Sequence, residues 1–555
     1  MFTLISATDI KTISNVKNAM KTLKKILLGL TILIVGFIIG SQVVVHLWKK
    51  QNSKIERLIL YRPDNKVSAL LQAIDSKYVD VIDMDSLIDK ALPVLLEELD
   101  PHSAYYPAEE TQDSNDELHG SFSGIGIQFT VQDDTVRVNS VIRGGPSEKV
   151  GIIAGDRIVF INDSLFAGKR ISSNEVVKNL KGPKGTEVKV GIMRTGEPGI
   201  IDFNIERGDI PVKSVDAAYM ISPSKSIGYI MINKFGETTY NEMMTGLAEL
   251  SSKGMKRLIV DLRGNTGGYL GAAIQMANEF LPKNDLIVYT SGAHSSIARQ
   301  FANGYGHYSS IPLAVLIDES SASASEIFSG AIQDNDRGTI IGRRSFGKGL
   351  VQEPLMFPDG SSIRITVARY YTPSGRCIQK PYGESDEDYA MDIVKRYEHG
   401  EFFSADSVRQ DESEVFKTKG GRTVYGGGGI MPYIFVPQDT AGYSNYYSEV
   451  VRKSLVNKFA FRFVDSHRSE ISTLKSASEI EKYLDRNNVL GQFYDFAARN
   501  GVKRDYTLSG PALKQLRTSL YGNIIYDSLD MEDYITFFNE TDVTVQRAVS
   551  ILSDK

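Results

Sequence analysis

The chain has 555 residues, 63 Lys and Arg against 68 Asp and Glu, and a formal net charge of −5. That length predicts several domains, and the missing basic excess argues against nucleic acid as a partner. One cysteine excludes an internal disulfide, and seven scattered histidines without HExxH spacing give no metal site.

In chain order, the first element is Ile26 to Trp48, a run free of Asp, Glu, Lys and Arg and long enough to cross a hydrocarbon core. Lys11, Lys17, Lys21, Lys24 and Lys25 precede it, and Lys49 and Lys50 follow. The basic excess upstream predicts an N-in, single-pass anchor in the inner membrane, with the rest of the chain in the periplasm or otherwise outside the cytoplasm. The run exceeds a usual signal sequence and lacks an A-x-A site; cleavage near Gly40-Ser41 and release to the envelope is the alternative. Met20 and the lysines after it form a compact basic start of their own, so Met20 reads as the initiating residue. Residues 1–50 are therefore the tail and anchor, and 51–118 read as helical, with LDPHSAYY at 99–106 as a turn.

From 119 to 207 short strands surround one helix, 172–181. Gly124-Ile125-Gly126-Ile127 alone reads as a strand with a bulge. Followed by GGPSEKVGIIAGDRIVFIND at 144–163, it resembles the carboxylate-binding loop of a PDZ domain. There, successive backbone N–H groups converge on a chain-terminal carboxylate while the peptide adds as a strand. The glycine spacing does not fit a dinucleotide fingerprint.

From 208 to 442 apolar β-branched strands (SIGYIMINKF, RLIVDLRG, PLAVLIDES, SSIRITVARYY) alternate with helices, an α/β layer pattern. A polar stretch at about 383–422 reads as an insertion, and VYGGGGIMPYIFVP at 424–437 follows. Residues 443–555 read as helices, with FAFRF at 459–463 as core. Cys377 reads as a small packing residue.

Ser323 and Lys348 carry the chemistry of this region. A serine hydroxyl needs a base within hydrogen-bond reach, and lysine serves only where burial leaves its amine neutral. Gln352 is placed to orient that amine. The bland readings are concrete. Ser323-Ala324-Ser325-Glu326 fits the capping box that opens ordinary helices. Gly342 to Lys348 matches part of a phosphate-binding loop, but Gly349 stands where Ser or Thr would hold Mg²⁺, and Pro354 and Pro358 break the required helix. Ser222-Pro223-Ser224-Lys225 matches S-x-x-K, yet leads into a strand.

Together, DLRGNTGG (261–268), SASASEI from Ser321, FGKGLVQ from Phe346 and YYTPSGR (370–376) resemble the carboxyl-terminal processing peptidases, or tail-specific proteases. The resemblance implies a PDZ domain beside a layered α/β core of the crotonase/Clp type. It makes Ser323 the nucleophile, Lys348 the general base and Gln352 its partner, with the backbone N–H groups of Gly268 and Ala324 as oxyanion hole. It implies no cofactor, and protein or peptide substrates with exposed apolar C-termini. Tyr433 departs from the pattern, since many relatives carry an acidic residue there. An adaptor or a homo-oligomer stays open. The alternatives are an inactive PDZ scaffold or adaptor, and crotonase-like acyl chemistry, which would need a coenzyme pocket.

Overall fold

The computed structural model describes residues 65–132, 134–382, 386–508 and 510–554. The 26–48 run, and the anchor read from it, lie outside the described residues; within them no helix is long and apolar enough to cross a membrane. The chain divides into Met1–Leu92 and Pro93–Lys555. The described part of the first unit holds the helix Lys66–Lys77, capped by the Asn65 side chain on Val67 N–H, and the start of Met84–Glu97.

In the second unit a six-stranded sheet runs in the order 215–222, 227–232, 257–261, 313–317, 339–342, 434–435. All its pairs are parallel except the first. Alternation along these strands feeds two cores. Ile230, Val260, Val315 and Ile340 face one side with Met243, Leu247, Met276 and Phe328 from the intervening helices. Tyr229, Ile259, Ala314, Leu316 and Ile341 face the other. There they meet Ile535, Val545, Ala548 and Leu552 of the C-terminal helices. Parallel strands need both faces covered, so the C-terminal extension is the second layer of the core. Each buried aliphatic side chain contributes about 1.5–3 kcal/mol.

A second sheet places 362–371 between 104–106 and 286–292, with 295–301 beyond, and 350–356 also pairs with 362–371. This corrects the turn read at 99–106 within the helical 51–118 segment. Ala104–Tyr106 is a strand whose backbone pairs with Ser362–Arg364, so the long strand 362–371 supplies its ladder partners.

The 119–207 segment forms a five-strand meander (127–132, 135–141, 157–161, 187–193, 200–206) with a small strand at 164–165. Two helices, Pro146–Val150 and Ser173–Leu180, accompany it, one more than the sequence suggested. Its junction with the core is a strand pair, Ser121–Gly124 with Gly208–Pro211. The meander also meets the C-terminal helices. Arg157 Nη2 donates to Asp465 Oδ2 at 2.6 Å, and the Arg137 guanidinium stacks on Phe461. Of the FAFRF residues, Phe459 and Phe463 are helical core, whereas Phe461 faces the meander.

The 383–422 stretch contributes short helices, Asp386–Ala390 and Asp392–Glu398, and the strand Val415–Lys417, which pairs with Thr423–Tyr425 just beyond it. Buried Glu401 anchors it between Arg344 and Arg396, at 2.7 and 2.8 Å.

Candidate active site and peptide groove

Strand Leu313–Ile317 is buried along its length and leads through a turn into the helix Ala324–Asp334. Ser323 sits at that joint with φ 53° and ψ −113°, a conformation costing about 1–3 kcal/mol for a non-glycine residue. Neighbouring bonds hold it there. The Asn265 carbonyl accepts from Ala322 N–H at 3.0 Å and from Ser325 Oγ at 2.9 Å. The Asn265 amide is itself fixed on the Ile232 carbonyl at 2.8 Å.

Ser323 is the N-cap of its helix, and Glu326 accepts its backbone N–H at 2.8 Å. The capping reading is thus correct as far as it goes, but this glutamate reaches further. Its Oε2 also accepts Lys348 N–H at 2.8 Å. Its Oε1 accepts Gly347 N–H at 2.7 Å and Ser345 Oγ at 2.5 Å. Burial pushes the Glu326 carboxyl up to about 7, against these four donors, which pull it down. Tyr370, 1% exposed, shares its hydroxyl proton between the carbonyls of Ser323 at 3.0 Å and Lys348 at 2.5 Å. The amides of Ser323 and Lys348 therefore meet on one carboxylate oxygen, and their carbonyls on one phenol.

Lys348 lies just before strand Leu350–Met356, and its Nζ donates to Gln352 Oε1 at 3.0 Å. Burial, then the charge of Arg364, holds its pKa below the usual lysine range, while Asp100 and Glu326 act the other way. Gln352 Nε2 donates to the His102 carbonyl at 2.6 Å, so the amide is fixed with its oxygen toward the amine. The His102 turn is held in its own right. Asp100 Oδ1 accepts the N–H groups of His102 and Ser103, both at 2.9 Å. Burial and the Lys348 charge push His102 down to about 4, so its ring is neutral at neutral pH.

Gly267 and Gly268 have φ 104° and 139°. A Cβ on Gly267 would stand 2.7 Å from Ser323 Cβ and 2.9 Å from Ala324 N, and one on Gly268 would overlap the Phe235 carbonyl. Only glycine lets this loop lie against the serine. The flanking groups are used, Gly267 C=O by Phe235 N–H and Tyr269 N–H by Phe235 C=O. Among the described residues the N–H groups of Gly268 and Ala324 donate to no protein acceptor. The Ala324 donor also opens a helix, where the dipole favours negative charge.

Gly124, Ile125, Gly126 and Ile127 line a separate groove of about 380 Å³ together with Phe122, Phe129, Val177 and Leu180. Gly124 closes one strand and Ile127 opens the next, with Gly126 at φ 76° between them. Helix Ser173–Leu180 forms the opposite wall.

Glu326, Tyr370, Asn265 and His102 were not singled out as site residues by the sequence. The motifs around Asn265 and Tyr370 pointed to them, whereas Glu326 was masked by its capping role. Cys377 is half-buried, with burial raising its thiol pKa. Tyr433 donates to the Gln333 carbonyl at 3.2 Å and carries Arg422 over its ring at 3.8 Å.

Residues 226–389 match the family described as Peptidase family S41, 123–206 match a PDZ domain, and 446–530 match a family of unknown function (DUF8443). A carboxy-terminal-processing protease of Bartonella bacilliformis is 37% identical over 324 residues, 58% of this chain and 73% of that protein. Carboxy-terminal processing protease CtpA of Bacillus subtilis is 35% identical over 347 residues, 61% of this chain and 73% of that protein. Among solved structures, a photosystem II D1 C-terminal processing protease covers 71% of this chain and 91% of its own at 24% identity. Its TM-score of 0.35 carries no weight for the arrangement as a whole.

Proposed function

The chain belongs to the carboxy-terminal processing proteases of peptidase family S41, serine-type peptidases, and from that premise we propose that it captures client tails in the PDZ groove and cleaves them with Ser323 and Lys348. The observation that carries the reading is the shared Glu326 oxygen. It ties the backbones of the two residues together while Gln352 holds the amine. In this mechanism neutral Lys348 takes the Ser323 proton as Oγ attacks the scissile carbonyl. The oxyanion is received by the N–H groups of Gly268 and Ala324, preorganised donors of the kind that dominate acyl-transfer catalysis. The C–N bond then breaks, Lys348 returns the proton to the departing amine, and an acyl ester remains on Ser323. Water attacks the ester, gives its proton to Lys348, and Oγ leaves with that proton.

The setting proposed is the cell envelope, with residues 26–48 as inner-membrane anchor and the peptidase beyond the cytoplasm. The PDZ groove suits an apolar chain end, since Phe122, Ile125, Ile127, Phe129, Val177 and Leu180 line it. Cleavage of an unfolded protein ending in apolar residues tests this reading, compared with the same protein ending in Asp and Glu. The tailed form is expected to be cut at least about tenfold faster in kcat/KM, the equivalent of 1.4 kcal/mol of capture. Equal rates would remove tail selection from the account. Binding without cleavage would turn the protein into a scaffold.

A further inference from the structure

Among the described residues, the charged side chains lining the peptide groove are Asp113, Asp116 and Lys181. Lys181 follows directly on the groove helix and packs beside Gly124. A Cβ on Gly124 would stand 3.9 Å from Lys181 Cα, and Gly182 N–H donates to the Ser123 carbonyl at 3.4 Å. The lysine is therefore at the glycine end of the groove, where a chain-terminal carboxylate enters a PDZ domain. Arg207, the nearby cation, is committed to the carbonyls of Leu180 and Asn179, both at 3.0 Å.

Lys181 already has an anion. Its Nζ donates to Asp113 Oδ1 at 2.8 Å and lies 3.8 Å from Asp116 Oδ2, with its side chain 26% exposed. Both aspartates belong to the helix Ala108–His119, which lies outside the PDZ meander. A second contact, Lys178 with Glu109 at 3.0 Å, ties the same helix to the groove wall. Gln112 Nε2 steadies Asp116 at 2.7 Å. Among the described residues, two carboxylates thus occupy the lysine that lines the groove.

We infer that Lys181 is the specificity residue for the terminal carboxylate of the captured tail, and that Asp113 and Asp116 are built-in competitors that weaken capture. This rests on the tail-capture reading above. A partly exposed ion pair of this kind is worth little, so an entering carboxylate can displace it. The aspartates then set a threshold: only tails whose apolar residues fill the groove well displace them.

The test is anisotropy with two labelled peptides of identical apolar sequence, one with a free C-terminal carboxylate and one amidated. The protein is the full chain carrying Ser323→Ala, so that neither peptide is cut. Asp113→Asn with Asp116→Asn is expected to tighten binding of the free-acid peptide by about two- to fivefold and leave the amidated one unchanged. Lys181→Met is expected to weaken the free-acid peptide, with no effect on the amide, and to erase the gain from the Asn pair. An unchanged free-acid affinity in the Asn variant, or an equal gain for both peptides, overturns the inference. So does Lys181→Met binding the free acid as well as the parent does. If the parent binds neither peptide, tail capture itself fails.

Discussion

Lys348→Ala is expected to lower kcat by on the order of 10⁴-fold, the upper range for loss of a positioned general base. The structure gives the reason in two parts. The amine is depressed in pKa by burial and by Arg364, so it is available as a neutral acceptor at a pH where a free lysine is charged. It is also aimed, since Gln352 holds it and the His102 carbonyl holds Gln352. Lys348→Arg should be as inactive, because guanidinium does not deprotonate in proteins. The sign of the pH dependence follows. Below the depressed pKa the amine carries a proton and cannot accept another, so kcat/KM should climb with pH through that pKa and level off above it. A profile that falls over the same range, or a Lys348→Ala enzyme with parental kcat, would assign the base to another group.

Glu326→Ala is expected to cost about 3 kcal/mol or more of stability and at least about 10²-fold in kcat. Each buried donor left unsatisfied costs about 1–3 kcal/mol. Four donors depend on this one carboxylate, two of them the amides of Ser323 and Lys348. The activity loss follows from geometry, since misplacing a reacting group by about 1 Å can cost 10²-fold. Glu326→Gln does not rescue it, because an amide NH₂ would face N–H donors. Thermal unfolding and kcat measured together check this. A variant that loses stability but keeps parental kcat would show that the glutamate is a helix cap and nothing more.

The parts legible in the sequence were those where chemistry dictates residue type. A Ser and a Lys in glycine- and alanine-rich surroundings, and a Gly-Gly pair after a buried strand, can be read from one chain. His102 escaped because it acts through its backbone carbonyl, which any residue supplies. Glu326 escaped because one side chain performs two tasks, and the commoner one, capping, accounts for its position. The last 113 residues escaped for a different reason. The spacing of Ile535, Val545, Ala548 and Leu552 shows apolar helix faces, but the surface they cover is defined by Ile259, Leu316 and Ile341, more than 190 residues away. Strand Ala104–Tyr106 was missed because three residues are too few to display an alternation.

The central claim is that Ser323 is the nucleophile of a tail-directed peptidase. It is tested by incubating an unfolded, apolar-tailed protein with the full chain and with its Ser323→Ala variant, and following the fragments by mass spectrometry. The account predicts cutting by the parent, none above background by Ser323→Ala, and the same tail affinity for both. Fragments produced by Ser323→Ala at the parental rate would contradict it.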